Sequence, residues 1–272
     1  MSRLSPRPSF LARLPGACLS ALAALGLAAA PLQAAEPSNR LDGVMQAGTL
    51  KVCTTGDYRP FSYLDPAKGT FEGIDIDLAG DLANALGVKV EFVPTTWSKL
   101  MADFTGGACD IAMGGVSITL PRQKVAFFSI PTLVDGKTPI TRCENVGKFQ
   151  TLADIDKPEV TAVVNPGGTN ESFARANLKA AKIVVFPDNT KIFEEILAGR
   201  ADLMMTDAVE TRLQQQRHPG LCAVHPDKPF TFSEKAYLLP KGDVIFKAFV
   251  DQWLNLRMHD GTYGRITAAW MK

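Results

Sequence analysis

Short apolar runs alternate with amphipathic segments in the first part of the chain. Apolar residues cluster at 50–54, 88–93 and 110–113, which is the pattern of buried strands. Between these runs, apolar residues recur at helical spacing over 76–86 and 100–104. Because parallel strands must be joined by crossover connections, this order of strands and helices predicts a mostly parallel sheet.

The same pattern restarts in the middle of the chain. Its predicted elements are strands over 160–164, 183–186 and 203–205 and helices over 170–180 and 192–198. This second strand–helix alternation predicts a second α/β lobe, built like the first.

Two extended segments, 137–141 and 232–239, lie between the two patterns, so the chain is expected to cross between the lobes twice. A last predicted helix, over 244–256, returns to the first lobe. The predicted domains are lobe 1 at 36–139 plus 236–272 and lobe 2 at 140–235.

Residues 1–35 have the composition of a secretory signal peptide. Three arginines precede an apolar run over 17–32, and the segment ends in the small residues Ala34 and Ala35. A membrane anchor is the alternative, but this run is shorter than the roughly 20 residues that a spanning helix needs. Export to the periplasm, with cleavage near Ala34 or Ala35, is the expectation.

Charge and composition exclude some classes of function. The formal charge is +1, and removing the leader, which carries three arginines and no acidic residue, leaves −2. Such a chain lacks the excess of basic residues that is typical of proteins that bind nucleic acid or an anionic membrane. Its three histidines show no metal-ligand spacing, so no metal is expected.

Four cysteines lie beyond the leader, and an oxidising compartment favours their pairing. Cys143 and Cys222 lie just inside the two ends of the second lobe, which a bridge between them would close. Cys53 and Cys109 lie in or beside apolar strands, where a free cysteine is most often a small buried hydrophobe. The sequence therefore predicts one disulfide, between Cys143 and Cys222.

Four polar segments follow predicted strands, and in open α/β sheets ligands bind beyond the carboxyl ends of the strands. The segments are 55–58, 114–119, 165–170 and 206–210. They predict a cleft between the lobes. The whole pattern resembles the periplasmic solute-binding proteins of the polar amino acid type, which implies their type II two-lobed fold over nearly all of the chain beyond the leader.

Arg122 is the candidate anion clamp of this cleft. A guanidinium matches a carboxylate with two parallel hydrogen bonds, and the resemblance implies this role, with Ser117 and Thr119 adding donors. An ordinary arginine in a surface loop is the alternative.

Gly168, Thr169 and Asn170 begin a predicted helix. The free amide groups and the dipole of a helix N-terminus favour an anionic ligand group. A glycine-rich turn with a simple N-cap is the alternative, and the two roles are compatible because they use neighbouring donors.

A finer similarity is carried by the segments 56–63, 96–97, 135–141, 165–171 and 204–210. These segments resemble the secreted cyclohexadienyl dehydratases, relatives of the binding proteins with a catalytic cleft. The resemblance implies conversion of prephenate to phenylpyruvate and of arogenate to L-phenylalanine. It implies no cofactor, and it implies a homo-oligomer, such as a trimer.

Glu210 is the predicted general acid. The resemblance implies this role, and the chemistry requires a carboxyl group that is protonated near neutral pH, hence one with a pKa raised by burial. The alternative is structural, because Asp207 and Glu210 have the spacing of a capping box at a helix start. A charged Asp207 nearby would itself raise the pKa of Glu210.

Other side chains complete the predicted substrate site. Tyr58, Phe61 and Trp97 are expected to flank the substrate ring, although each alone could be core packing. Asn165 and Lys137 are candidates for polar contacts to substrate, and Lys137 could equally be a surface charge near the hinge.

The alternative function is an extracytoplasmic solute-binding protein that delivers an amino acid or dicarboxylate to an ABC transporter. Fold and leader suit both functions, so Glu210 is the discriminating residue. A hydrolase is disfavoured, because the sequence shows no catalytic triad pattern.

Overall fold

The computed structural model describes residues 39–272, so the predicted signal peptide lies outside the described residues. The helices are α1 (Arg40–Ala47), α2 (Ile74–Leu86), α3 (Leu100–Thr105), α4 (Leu120–Gln123), α5 (Leu152–Ile155), α6 (Thr169–Asn177), α7 (Ile192–Leu197), α8 (Ala208–Arg217), α9 (Val244–His259) and α10 (Thr262–Trp270), with 3-10 helices at Cys143–Lys148 and Asn189–Lys191. The strands are β1 (Thr49–Thr54), β2 (Asp57–Tyr58), β3 (Ser62–Asp65), β4 (Thr70–Glu72), β5 (Lys89–Pro94), β6 (Ile111–Ala112), β7 (Ala126–Phe128), β8 (Leu133–Asp135), β9 (Lys137–Arg142), β10 (Thr161–Val164), β11 (Lys182–Val185), β12 (Leu203–Asp207), β13 (Leu221–Ala223), β14 (Ser233–Lys235) and β15 (Leu238–Pro240).

The first five-stranded sheet has the order β5-β1-β6-β15-β7. Strand β1 pairs in parallel with β5 and β6, and β15 runs antiparallel to its neighbours. Helix α2 packs against this sheet with Ile74, Leu78 and Leu82, which recur every four residues and are all buried. It ends where Gly87 adopts the left-handed conformation, with φ of 70°.

The second five-stranded sheet has the order β11-β10-β12-β9-β13. Strand β10 pairs in parallel with β11 and β12, whereas β9 runs antiparallel to β12. All five residues of β12 are buried, as in a central strand that is covered on both faces. The predicted two-lobed α/β fold is confirmed, although each sheet is mixed, with two parallel and two antiparallel strand pairings.

The chain crosses between the two sheets at the antiparallel pair β8 and β14. Strand β9 follows at once, and Lys137 already pairs with Asp207 of the second sheet, so the crossing lies before the predicted boundary at 139/140. Gly136 is the single residue between β8 and β9. A Cβ atom there would lie 1.9 Å from the Thr231 carbonyl oxygen, so only glycine fits.

Two predicted segments differ in detail from the structure. The extended segment 232–239 is two short strands, β14 and β15, in different sheets. Helix α6 ends at Asn177 rather than at Ala180, because the Asp156 carboxylate accepts hydrogen bonds from the three backbone amides of 179–181. Those amides are therefore unavailable to continue the helix.

Two disulfides join the four cysteines beyond the leader. Cys143 and Cys222 are bridged, and so are Cys53 and Cys109. The Cys53–Cys109 bridge corrects the sequence prediction, which treats these two cysteines as unpaired small hydrophobes. They are indeed buried, but β1 and β6 are adjacent strands and bring the two sulfur atoms together.

Removing either bridge is expected to destabilise the protein. The bridges close long loops, with sequence separations of 56 and 79 residues, which strongly restricts the unfolded chain. We expect the double substitution of Cys53 and Cys109 by alanine to lower the free energy of unfolding by about 2–4 kcal/mol. Urea unfolding of the oxidised protein and of the variant measures the difference. An unchanged unfolding midpoint would contradict the bridge.

Within residues 39–272, no helix is both long and apolar enough to cross a membrane.

Candidate functional site

The two sheets direct the carboxyl ends of their strands toward one small cavity. Both lobes and the crossing strand β14 contribute to its walls. The lining residues are Tyr58, Trp97, Gly115, Ser117, Asn165, Gly168, Thr169, Asn170, Asn189, Asp207 and Lys235. This location agrees with the rule that ligands bind beyond the carboxyl ends of the strands.

Most of the predicted site residues lie on the cavity wall. Those that line it are Tyr58, Trp97, Ser117, Asn165, Gly168, Thr169, Asn170 and Asp207. The others lie behind this first layer of side chains or beside it; they are Phe61, Thr119, Arg122, Lys137 and Glu210.

Asp207 is the electrostatic centre of the site and is only 2% exposed. Its Oδ1 atom accepts a hydrogen bond from Lys137 Nζ at 2.7 Å, and its Oδ2 atom accepts one from Lys235 Nζ at 2.5 Å. The Tyr58 hydroxyl, from the other lobe, donates to Oδ2 at 2.6 Å. Burial alone would raise the pKa of Asp207, but the two ammonium groups outweigh it and hold that pKa below its usual range.

These contacts exclude the capping-box interpretation of the Asp207–Glu210 spacing. Asp207 occupies the N-cap position of α8 but makes no side-chain cap hydrogen bond, because its carboxylate is engaged by the lysines and Tyr58. The capping box is therefore absent from this helix start.

Glu210 lies in the first turn of α8 and is 1% exposed. Its Oε2 atom accepts a short hydrogen bond from the Thr206 hydroxyl, whose oxygen in turn accepts one from Asn170 Nδ2 at 3.0 Å. Burial raises the pKa of Glu210 to about 8; the Thr206 hydrogen bond opposes this shift and the charge of Asp207 adds to it. Glu210 is thus a buried carboxylic acid that holds its proton at neutral pH.

Glu210 does not itself line the central cavity. It lines an adjoining crevice of about 240 Å³, which shares Asn189 with the central cavity. Two hydrogen bonds connect the acid to the wall of the central cavity: Asn170, which lines the cavity, donates to the Thr206 hydroxyl, which donates to Glu210.

Lys137 is buried, so it is not the surface charge that the sequence left open. Besides Asp207, its ammonium group donates to Thr169 Oγ1 at 2.9 Å and to Asn170 Oδ1. Asn170 also donates to Asn165 Oδ1 at 3.1 Å. Lys137 thereby fixes the start of α6 against the end of β12, and burial lowers its pKa while Asp207 opposes that shift.

The aromatic wall belongs to the first lobe. The Tyr58 ring lies 5.3 Å from the Phe61 ring and 5.6 Å from the Trp97 ring, centroid to centroid. Trp97 is held by a hydrogen bond from Nε1 to Asp57 at 2.9 Å. Gly115 permits this packing, because a Cβ atom there would lie 2.6 Å from the Tyr58 ring.

Arg122 is half-buried and lies beside the cavity. Its Nη1 atom donates to the Ser117 carbonyl oxygen at 2.9 Å, and its backbone amide donates to Thr119 Oγ1 at 3.4 Å, which caps α4. Burial lowers the pKa of Arg122 and Asp207 opposes the shift. The guanidinium is therefore oriented by the loop that carries Ser117, a residue of the cavity wall.

The sequence analysis missed Lys235 and Asn189. Asn189 follows β11, so the strand-end rule that found the other loops could have found it. Lys235 is 1% exposed at the end of β14, and a lysine that directly precedes the apolar run 236–239 was the available signal. Among the residues that the structure describes, no group of three or more His, Cys, Asp or Glu side chains could hold a metal ion.

Two α/β sheets that enclose a charged, aromatic-walled cavity between them define a two-lobed protein that binds a small molecule. The chain belongs to the bacterial extracellular solute-binding proteins, family 3, whose family model matches residues 50–272. The fold and family predicted from the sequence are confirmed.

Individual relatives refine this relationship. The chain is 56% identical to the cyclohexadienyl dehydratase of Pseudomonas aeruginosa over 93% of this chain and 94% of that protein. It is 54% identical to an ancestral cyclohexadienyl dehydratase of known structure, over 87% of this chain and 98% of that one, with a TM-score of 0.55. It is 39% identical to an ancestral amino acid-binding protein, described as a precursor of cyclohexadienyl dehydratase, over 85% and 99% of the two chains, with a TM-score of 0.79. The predicted resemblance to cyclohexadienyl dehydratases is thus confirmed.

Proposed function

We propose that this protein is a periplasmic cyclohexadienyl dehydratase that converts prephenate to phenylpyruvate and arogenate to L-phenylalanine. The observation that carries the proposal is Glu210, a fully buried carboxylic acid with a pKa raised to about 8, placed beside the cavity between the lobes. A protein that only captures a solute has no need of a proton donor there. The relationship to the Pseudomonas aeruginosa enzyme supports the same activity.

The reaction follows from these groups. The bond between the ring and its carboxylate breaks, carbon dioxide leaves, and the electron pair of that bond enters the ring. The ring C–O bond breaks at the opposite carbon, and Glu210 gives its proton to the departing hydroxyl, which leaves as water. The ring becomes aromatic, and Glu210 is left as a carboxylate that must regain a proton from water.

The other residues bind and orient the substrate. Tyr58 and Trp97 offer apolar ring faces to the cyclohexadiene. Lys235 on the wall, with Lys137 and Arg122 behind it, supplies positive charge for the substrate carboxylates. The homo-oligomer implied by the sequence is also part of the proposal.

The test is to add prephenate to the purified exported protein and follow phenylpyruvate by ultraviolet absorbance, with spontaneous breakdown subtracted. Turnover of prephenate, and formation of phenylalanine from arogenate, are expected. If neither reaction occurs and an amino acid raises the melting temperature instead, the protein is a transport binding protein.

The activity should depend on pH through Glu210. The acid donates a proton only while it is protonated, and its pKa is raised to about 8. We therefore expect kcat to be nearly constant below about pH 7 and to fall about tenfold per pH unit well above pH 8. Initial rates at saturating prephenate between about pH 6 and pH 10 measure the profile. Melting temperatures over the same range are the control for unfolding, and a kcat that rises through pH 8 would assign the rate to a base instead.

A further inference from the structure

The ammonium group of Lys235 lies close to a carboxylate, a hydroxyl group and an aromatic ring. Its Nζ atom donates to Asp207 Oδ2 at 2.5 Å and to Ser117 Oγ at 2.9 Å, and it lies 5.2 Å from the centroid of the Tyr58 ring. Lys235 is 1% exposed, and its side chain forms part of the cavity wall. A carboxylate, a hydroxyl and an aromatic face are the groups that would recognise the ammonium of a bound amino acid.

Asp207 has little capacity left for a second ammonium at this position. An ionised carboxylate offers about four acceptor positions. The protein uses three of them, through Lys137 on Oδ1 and through Lys235 and Tyr58 on Oδ2. An amino acid that entered the cavity would therefore bring its ammonium toward the ammonium of Lys235 rather than toward a free carboxylate.

We propose that Lys235 is an internal substitute for a substrate ammonium, and that it makes this site select the 2-keto acid prephenate over its amino analogue arogenate. The inference rests on the proposed dehydratase function and specifies which substrate that site prefers. Both substrates share the ring, the ring carboxylate and the hydroxyl, so only the group on the side chain distinguishes them. The keto oxygen of prephenate can accept a hydrogen bond from Lys235, whereas the ammonium of arogenate is repelled by it.

The two substrates also differ in charge at the side-chain position. Prephenate carries two carboxylates and no cation, whereas arogenate carries the same two carboxylates and one ammonium. Because charges interact strongly in a buried site, a second ammonium group beside Lys235 is disfavoured.

The experiment compares kcat/KM for prephenate and arogenate in the exported protein and in Lys235→Met, which keeps the length of the side chain and removes its charge. We expect the exported protein to prefer prephenate by at least about tenfold, and Lys235→Met to shrink that preference by at least about tenfold. Lys235→Arg retains the charge and should retain the preference for prephenate. Lys182→Met, the same change on an exposed lysine of β11, should leave the ratio unchanged.

A second measurement needs no variant. Phenylpyruvate and L-phenylalanine, the two expected products, differ at the same position as the two substrates, and phenylpyruvate should raise the melting temperature of the unmodified protein at a lower concentration. Equal kcat/KM values for the two substrates, or an unchanged ratio in a folded Lys235→Met protein, would overturn the role of Lys235 while leaving the dehydratase intact. Absence of all turnover would refute the dehydratase, and the binding comparison would then still report whether the site prefers a keto acid to an amino acid.

Discussion

Replacement of Glu210 by glutamine is expected to lower kcat for prephenate by about 10²- to 10⁴-fold, which is the usual contribution of a positioned general acid. Glutamine has nearly the volume of the protonated acid, and its amide oxygen can still accept the hydrogen bond from Thr206. The amide cannot release a proton to the leaving hydroxyl. KM should therefore change little, because one neutral group replaces another.

The stability of the same variant separates loss of chemistry from loss of fold. Burial disfavours the charged form of Glu210, so a neutral amide there should leave the melting temperature unchanged or raise it slightly. Glu159→Gln is the matched control, since Glu159 is exposed and precedes β10 at the end of the sheet away from the cavity. Near-normal turnover by a folded Glu210→Gln protein would remove the general acid from the mechanism.

The position of Glu210 sets two physical effects against each other. A carboxylate in the first turn of a helix is stabilised by the helix dipole, which by itself favours the ionised form. Complete burial favours the neutral form, and the charge of Asp207 nearby adds to that preference. Because the resulting pKa is about 8, burial prevails at this site. A surface glutamate at the same position in a helix would be ionised and could not act as an acid.

The amphipathic helices were predictable because each one buries a single face. Within the predicted segment 76–86, the i, i+4, i+8 spacing of Leu78, Leu82 and Leu86 places three side chains on one side of α2, and that side meets the sheet. The cavity wall was predictable for a similar reason, since a parallel sheet places all of its strand ends at one edge. These are local patterns combined with a general rule of topology.

The residues that the sequence could not place depend on which strands become neighbours. The pairing of Cys53 with Cys109 requires β1 and β6 to be adjacent, and nothing local to either cysteine encodes that. The local spacing of Asp207 and Glu210 predicts a cap, but two lysines from β9 and β14 compete for the Asp207 carboxylate. Ion pairs between distant segments decide its role, and they become visible only in the folded chain.

Asp207→Asn is expected to cause the largest loss of stability among single substitutions in the site. The change leaves the ammonium groups of Lys137 and Lys235 buried without their counter-charge, and their side chains are only 6% and 1% exposed. Removing one partner of a buried ion pair typically costs about 3–5 kcal/mol. For a protein of this size the melting temperature should fall by about 6–20 °C. Asp227→Asn is the control, because Asp227 pairs with Arg212 while its side chain is 92% exposed, and such a pair contributes little.

The pH dependence of the stability lost in Asp207→Asn identifies the cause of that loss. Burial already lowers the pKa of Lys137, and without Asp207 it should fall further, so the unfolded chain would bind more protons than the folded one. Stability of the variant must then rise with pH relative to the unmodified protein, and the difference between the two melting temperatures should narrow between about pH 7 and pH 9.5. Ionisation of Glu210, whose pKa is about 8, adds a carboxylate to the same cluster and acts in the same direction. A difference that stays constant with pH would mean that the lost stability comes from packing around Asp207 rather than from uncompensated charge.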